Sequence, residues 1–280
     1  MSYKVLYNPK SNGGNAETET KQLDSILKDS QIEYIDVLSL DDVKGFVSSL
    51  NADDSLVISG GDGTLNHFIN DLDGYVPTND VYFFATGTGN DFLTSVEGEK
   101  GKLVQINEFL TDLPTVTVNG KDYKFINGVG FGIDGYCCEV GDEMHEKSDK
   151  PVNYTSIAIK GLLFHFKPVN AKITVDGKTS RYKKVWLAPT MYGRFYGGGM
   201  MPTPDQKRGE GKVSTLVYHN CGKLKALIVF PSIFKGEHVK HTEMIEVLSG
   251  KNVTVTFDKP TALQIDGETI KNVTTYTVKF

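Results

Sequence analysis

The stretch LVISGGDGTLN, Leu56 to Asn66, runs from an apolar segment into Gly60, Gly61, Asp62, Gly63 and Thr64. Glycines let backbone N–H groups close on a ligand, and Thr64 stands at the start of a helix whose dipole favours anions. Both are features of a phosphate-binding turn. A P-loop would add a lysine to meet the phosphate charge, and here a carboxylate stands instead. Asp62 beside phosphate is intelligible where it holds a metal ion or a proton. The plain alternative is a tight turn in which Asp62 caps the helix that follows. Two more turns share this composition, NPKSNGG (with Asn8, Pro9, Ser11 and Gly13) and GTGND (Gly87, Thr88, Gly89, Asn90 and Asp91). Near the end, IDGE carries Asp266 in an Asp-Gly pair that also suits a hairpin turn.

Other chemistries are poorly served. GFGIDG, Gly130 to Gly135, matches the dinucleotide pattern G-x-G-x-x-G, but a lone match is weak and no acid ends a second strand about 20 residues later. The histidines show no metal-ligand spacing. Three cysteines, two of them adjacent (Cys137, Cys138) and Cys221 alone, suggest neither a disulfide framework nor a metal site, which fits a reducing cytoplasm. A net charge of -5 argues against nucleic acid as the main partner. No leader-like apolar core opens the chain, and no window approaches the roughly 18 apolar residues of a transmembrane span.

The elements that must position these residues fall into two groups. Up to about residue 95 strands alternate with helices: YKVLYN, IEYIDVLS, SLVIS and VYFFA are strands. The segments 16–29, 43–50 and 64–72 read as helices by apolar spacing, with Asp41 and Asp42 able to cap the second. This grammar predicts a doubly wound, Rossmann-like parallel sheet, where ligands bind outside the carboxyl ends of the strands. All three glycine turns fall at those ends. From about Leu113 hairpins take over, with Asn-Gly in TVTVNGKDYKFIN and Asp-Gly in AKITVDGKTSRYKK. Helices are expected near 153–166 and 222–235. The expectation is an α/β nucleotide domain over 1–113, with the extreme C-terminal segment able to complete it, and a mainly antiparallel β-sandwich over 114–280. The active site is expected in the cleft between them.

Taken together, NP with small residues, GGDGTLN, GTGNDF, FINGVGFGID, GGGMMPTP followed by GEG, and IDGE resemble the diacylglycerol-kinase-type lipid kinases, in the family's order and across almost the whole chain. GGDGT alone is shared with NAD kinases. The resemblance implies ATP and Mg²⁺ as cofactors. It implies that Asn8, Pro9, Ser11, Gly13, Gly60, Gly61, Gly63, Thr64 and the GTGN residues line the nucleotide site, with Asp62 and Asp91 at the metal. Asp134 would join the hydrogen-bond network near the metal. Asp266 would be the general base for the lipid hydroxyl, supported by Glu268. Phosphoryl transfer needs this inventory of positioning, charge offset and a proton acceptor. Some relatives hold a structural Mg²⁺ at an Asp-Gly pair, where this chain has Glu210-Gly211; an ordinary surface turn is an equal reading.

Three letters at two places depart from the family: His67 stands where an acid is common, and Leu93-Thr94 where relatives often carry Ala-Arg. The expected activity is phosphorylation of a primary hydroxyl on diacylglycerol or a similar lipid taken from the membrane surface. The alternatives are a kinase for a sphingoid base or a small NAD-kinase-like substrate, or a nucleotide- or lipid-binding module with little catalysis. A peripheral membrane contact would use 156–167 or 223–235, both rich in Leu, Ile, Phe and Lys, although such stretches more often pack in cores. An exposed edge strand would allow a homodimer.

Overall fold

A computed structural model describes residues 2–11, 14–87, 89–145, 157, 160–161 and 166–280. The chain divides into two compact units, Met1–Leu113 and Pro114–Phe280.

In the first unit β1 (Ser2–Tyr7), α1 (Ala16–Thr20), α2 (Leu23–Ile26), β2 (Gln31–Asp36), α3 (Val43–Ser48), β3 (Asp54–Gly60), α4 (Asp62–Asp71), β4 (Val81–Ala85), α5 (Asp91–Ser95) and β5 (Leu103–Gln105) follow in order. The sheet runs β2-β1-β3-β4-β5, parallel except for β5. β3 is buried along nearly its whole length, as expected of a parallel strand covered on both faces. The chain goes to one side from β1 and to the other from β3, so the topological switch lies at their carboxyl ends, beneath the Asn8 and Gly60 turns. Asp42 caps α3 through the Gly45 N–H at 2.8 Å. β5 was not foreseen; it is a three-residue edge too short to show a pattern. The single helix expected over 16–29 is two. Buried Thr20 and Leu23 are three apart, and i→i−3 bonds from Gln22, Asp24 and Ser25 tighten the chain between them.

In the second unit come β6 (Thr115–Val118), β7 (Lys121–Lys124), β8 (Gly128–Phe131), α6 (Ile133–His145), β9 (Val169–Val175), β10 (Lys178–Val185), β11 (Thr190–Met191), β12 (Val213–Tyr218), α7 (Lys223–Val229), β13 (Ile245–Gly250), β14 (Asn252–Ile265) and β15 (Glu268–Lys279). Its ten strands form one antiparallel network, β13-β12-β11-β8-β14-β15-β6-β7, with β9 joining β14 to β10. β14 joins two strands that the sequence separates. It pairs with β9 up to Phe257 and with β8 from Leu263, and the register shifts around Pro260, which cannot donate to a ladder. β15 pairs with β14 and β6, so the extreme C-terminal segment belongs to this sheet and does not complete the first unit. The edge strand β10 carries Lys178, Arg181, Lys183 and Lys184, charges that discourage edge-to-edge pairing.

α6 escaped the sequence reading, because two glycines and two cysteines make a poor helical pattern. It is packed so close that a Cβ on Gly135 would lie 2.0 Å from the Ala262 carbonyl oxygen. GFGIDG therefore serves helix-on-strand packing, which agrees with setting aside the dinucleotide motif. The helix expected near 153–166 lies almost wholly outside the described residues. The one near 222–235 is α7 followed by a 3₁₀ turn over Phe230–Lys235.

Candidate functional site

The first unit brings two of its glycine turns into one object. Gly60 O accepts the N–H groups of Thr86 (2.9 Å) and Gly87 (3.3 Å). A Cβ on Gly87 would stand 2.6 Å from the Gly61 Cα, so the turns meet main chain to main chain. Asp62 then locks them: its Oδ2 accepts the Asp91 N–H at 2.8 Å and its Oδ1 the Phe92 N–H at 2.9 Å. It caps α5, a helix 29 residues away in sequence, rather than α4, in whose first turn it lies. A carboxylate there also meets the positive end of the α5 dipole. α5 is pinned from its other side by Phe92, edge-on to Phe83 (5.7 Å) and Phe109 (5.5 Å).

Asn90 takes a left-handed conformation and donates its Nδ2 to Gly87 O at 2.6 Å. A Cβ on Gly89 would lie 3.7 Å from Asp62 Oδ2 and 3.9 Å from Asp91 Oδ2, so both carboxylates border one point. Lys100 Nζ reaches Gly87 O at 3.4 Å. Across the switch, Asn8 Oδ1 accepts the Lys10 N–H and Asn8 O the Ser11 N–H, both at 3.0 Å, closing the first turn around Pro9.

In the second unit Asp266 and Gly267, both at positive φ, form the two-residue turn between β14 and β15. The hairpin reading of this pair is thus correct, and it does not exhaust the residue's role. The Asp266 carboxylate accepts three backbone N–H groups: Ile126 at 2.6 Å on Oδ2, then Asn127 and Gly128, both at 2.8 Å on Oδ1. It straps the turn onto the FINGVG segment. Gln264 Oε1 accepts the Gly267 N–H at 2.8 Å. Glu268, by contrast, is exposed.

Behind the turn lies buried Asp134, at the start of α6. Burial pushes its carboxyl up to about 7, against the Gly135 N–H and the nearby Tyr196 hydroxyl and Gln264 amide, which favour the ionised form. Cys137 in the same helix is a free thiol pushed up to about 12 by burial, which leaves it inert as a nucleophile.

Residues 2–118 match the diacylglycerol kinase catalytic domain, and residues 127–278, more than half of the chain, match the YegS C-terminal NAD kinase beta sandwich-like domain. The chain belongs to the diacylglycerol-kinase-type lipid kinases. A Mycobacterium tuberculosis protein named diacylglycerol kinase is 24% identical over 269 residues, which cover 91% of this kinase and 84% of that protein. The crystal structure of a diacylglycerol kinase from Bacillus anthracis shares the fold with a TM-score of 0.62 at 18% identity, covering 99% of this chain and 93% of its own. The α/β domain followed by an antiparallel sandwich-type domain is the family's architecture, as expected from the sequence.

Within the kinase, Asp62, Asp91 and the glycine turns come together, and so do Asp266, Gln264 and Asp134. Gly13 and Thr88 lie outside the described residues. Glu210 is flanked by Lys212 (3.0 Å) and Lys207 (4.0 Å), and the Lys212 bond lowers its pKa. Among the described residues no group of three or more His, Cys, Asp or Glu is gathered for a metal ion. The Asp62 and Asp91 carboxylates, which border one point, could hold an Mg²⁺ whose other ligands are water and phosphate. His67 is exposed on α4, one turn before Asp71.

Two residues went unread in the sequence. Arg208, in the KRGEGK segment, donates to Ile126 O and, at 2.9 Å, to Asn127 Oδ1, bracing the backbone that holds Asp266. Lys100 puts a cation beside the Gly87 turn. Neither sits in a recognisable pattern, because the fold alone brings each to its partner.

Proposed function

We propose that this kinase transfers the γ-phosphoryl group of ATP to the primary hydroxyl of diacylglycerol or a similar lipid alcohol drawn from a membrane surface. The locked double turn carries the reading. Main-chain N–H groups bordered by glycines, at the carboxyl edge of a doubly wound sheet with the start of α4 beside them, suit phosphate better than a lined hydrophobic pocket. Gly60, Gly61, Gly63 and Thr64 would meet the phosphates with Gly87, Gly89 and Asn90. Asn8, Pro9 and Ser11 would close the other side of the switch, and Lys100 would offset charge. The sequence assigns Gly13 and Thr88 to the same loops. When bound, Mg²⁺ would be held by Asp91 with Asp62 and would offset charge on the transferred group.

In the transfer the hydroxyl oxygen bonds to the γ-phosphorus as the bond to the departing ADP oxygen breaks, and the hydroxyl proton passes to a carboxylate. The family resemblance points to Asp266 as that base, but its two oxygens already accept three N–H groups. A proton arriving there would weaken the charge-assisted bonds that hold the turn. Glu268, directly past the turn, stands exposed to solvent. In this reading Glu268 takes the proton and Asp266 fixes the turn that presents it. Gln264, Tyr196 and Asp134 back that turn.

The test is labelled ATP with diacylglycerol, a sphingoid base and NAD as acceptors, with and without Mg²⁺, on wild type and Glu268→Gln. The expected outcome is transfer to diacylglycerol that needs Mg²⁺ and falls by 10²-fold or more in the variant. Nucleotide binding without transfer to any acceptor would favour a binding module instead. A Glu268→Gln enzyme at full rate would return the base role to Asp266.

A further inference from the structure

α7 turns one face into the core, burying Ala226 and Val229 with Phe230 just beyond, while the Tyr218 hydroxyl holds the Ala226 carbonyl at 2.9 Å. Its opposite face carries Leu224, 74% exposed, and Ile228, 70% exposed, one turn apart. No other exposed large apolar residue among those described exceeds 52%. Exposed Pro231 extends the stripe into the following 3₁₀ turn. At about 100° per residue, Lys223 and Lys225 fall on the two flanks of this stripe. From His219 to Gly236 the chain holds Lys223, Lys225 and Lys235 and no Asp or Glu, in a protein of net charge -5. Lys225 does meet Glu243 at 2.7 Å, but that pair is about half exposed, so a lipid phosphate can exchange for the carboxylate.

We infer that this face seats the kinase on an anionic lipid bilayer, with Leu224, Ile228 and Pro231 entering the headgroup–acyl boundary and the flanking lysines meeting lipid phosphate. The inference rests on the lipid-kinase reading, because a substrate held in a bilayer gives the kinase reason to seat there. The local excess of positive charge around exposed aliphatic side chains selects an anionic membrane over an acidic protein groove, which needs no inserted apolar stripe. α7 is also braced from behind by the core, so seating it costs little ordering.

The experiment measures sedimentation with vesicles of phosphatidylcholine alone or mixed with phosphatidylglycerol. The proteins are wild type, Leu224→Ser/Ile228→Ser and Lys223→Glu/Lys225→Glu; all four positions are exposed, so both variants should fold. Wild type should bind the mixed vesicles. The apolar variant should lose tenfold or more in partitioning, since burying one aliphatic side chain is worth about a factor of ten. The lysine variant should lose several-fold and show a flatter salt dependence. All three proteins should phosphorylate a short-chain diacylglycerol dissolved as monomers at the same rate. Failure of wild type on that soluble substrate would sink the kinase reading, while sedimentation still reports on docking. Variants that sediment like wild type would overturn the docking inference. So would a wild-type dimer, seen without vesicles, that the serine substitutions dissociate, because a second copy would then cover the face.

Discussion

Replacing Asp266 by Asn separates holding the turn from accepting the proton. Asn tolerates the left-handed conformation that residue 266 adopts at φ 47°, so the turn itself is not strained by the change. The amide oxygen can take the place of Oδ1 and keep the Asn127 and Gly128 N–H groups, as neutral rather than charged bonds. The amide nitrogen must then take the place of Oδ2 and face the Ile126 N–H, donor against donor. Losing one bond to a charged acceptor costs roughly 1.5–3 kcal/mol, and weakening two others adds about 1–2 kcal/mol. The expected destabilisation is about 3–5 kcal/mol. Glu268→Gln, at an exposed position, should stay within about 0.5 kcal/mol of wild type. The chain's one tryptophan, Trp186, is buried in the core of the second unit, so its fluorescence in urea reports the relevant unfolding. Both variants should lose phosphoryl transfer, but only Asp266→Asn should shift the urea midpoint. If Asp266→Asn unfolds within about 1 kcal/mol of wild type while transfer collapses, the clamp argument is wrong and Asp266 is the proton acceptor.

Asp134 gives a pH prediction. Its carboxyl stands at about 7 against an ordinary 3.8, so between those values the folded protein holds a proton that the unfolded chain has released. Stability from this group is complete below pH 4 and is lost as pH rises toward and through 7, by about 4 kcal/mol. The groups facing it, Cys137, Cys138, Tyr196 and Tyr276, have their pKa values raised and stay protonated across that window. Subtracting the Asp134→Asn unfolding curve from wild type between pH 5 and 8 should reveal the slope, and a flat difference refutes it. Asp62→Ala removes both acceptors that cap α5. It should lower stability by about 1–2 kcal/mol and raise KM for ATP several-fold, with KM for the lipid unchanged, as read from paired steady-state titrations.

The turns that make up the candidate site were legible because they lie in short motifs. GGDGT and GTGND announce themselves by glycine content, and the alternation of strand and helix puts both at one sheet edge. IDGE was read correctly as a turn. The roles within those motifs were not legible. Asp62 could be read as a ligand or as a cap for its own helix; its actual partners, the N–H groups of Asp91 and Phe92, are 29 and 30 residues away and reachable only once β3 and β4 pair. Asp266 meets Ile126, Asn127 and Gly128, about 140 residues earlier, because β14 lies beside β8. α6 was missed because tight packing demanded glycine at Gly135, where helix propensity would not place it.

From the sequence alone came the two-unit α/β-then-β architecture, since apolar periodicity and turn chemistry act over a few neighbours, while the lipid-kinase family and the inventory of reactive residues came from the resemblance its short motifs carry. Only the tertiary structure decided which carboxylates are occupied by backbone N–H groups and which stand exposed, which cations reach the turns, and which side of α7 meets solvent. Those outcomes depend on where distant backbone donors end up, and no local pattern encodes that.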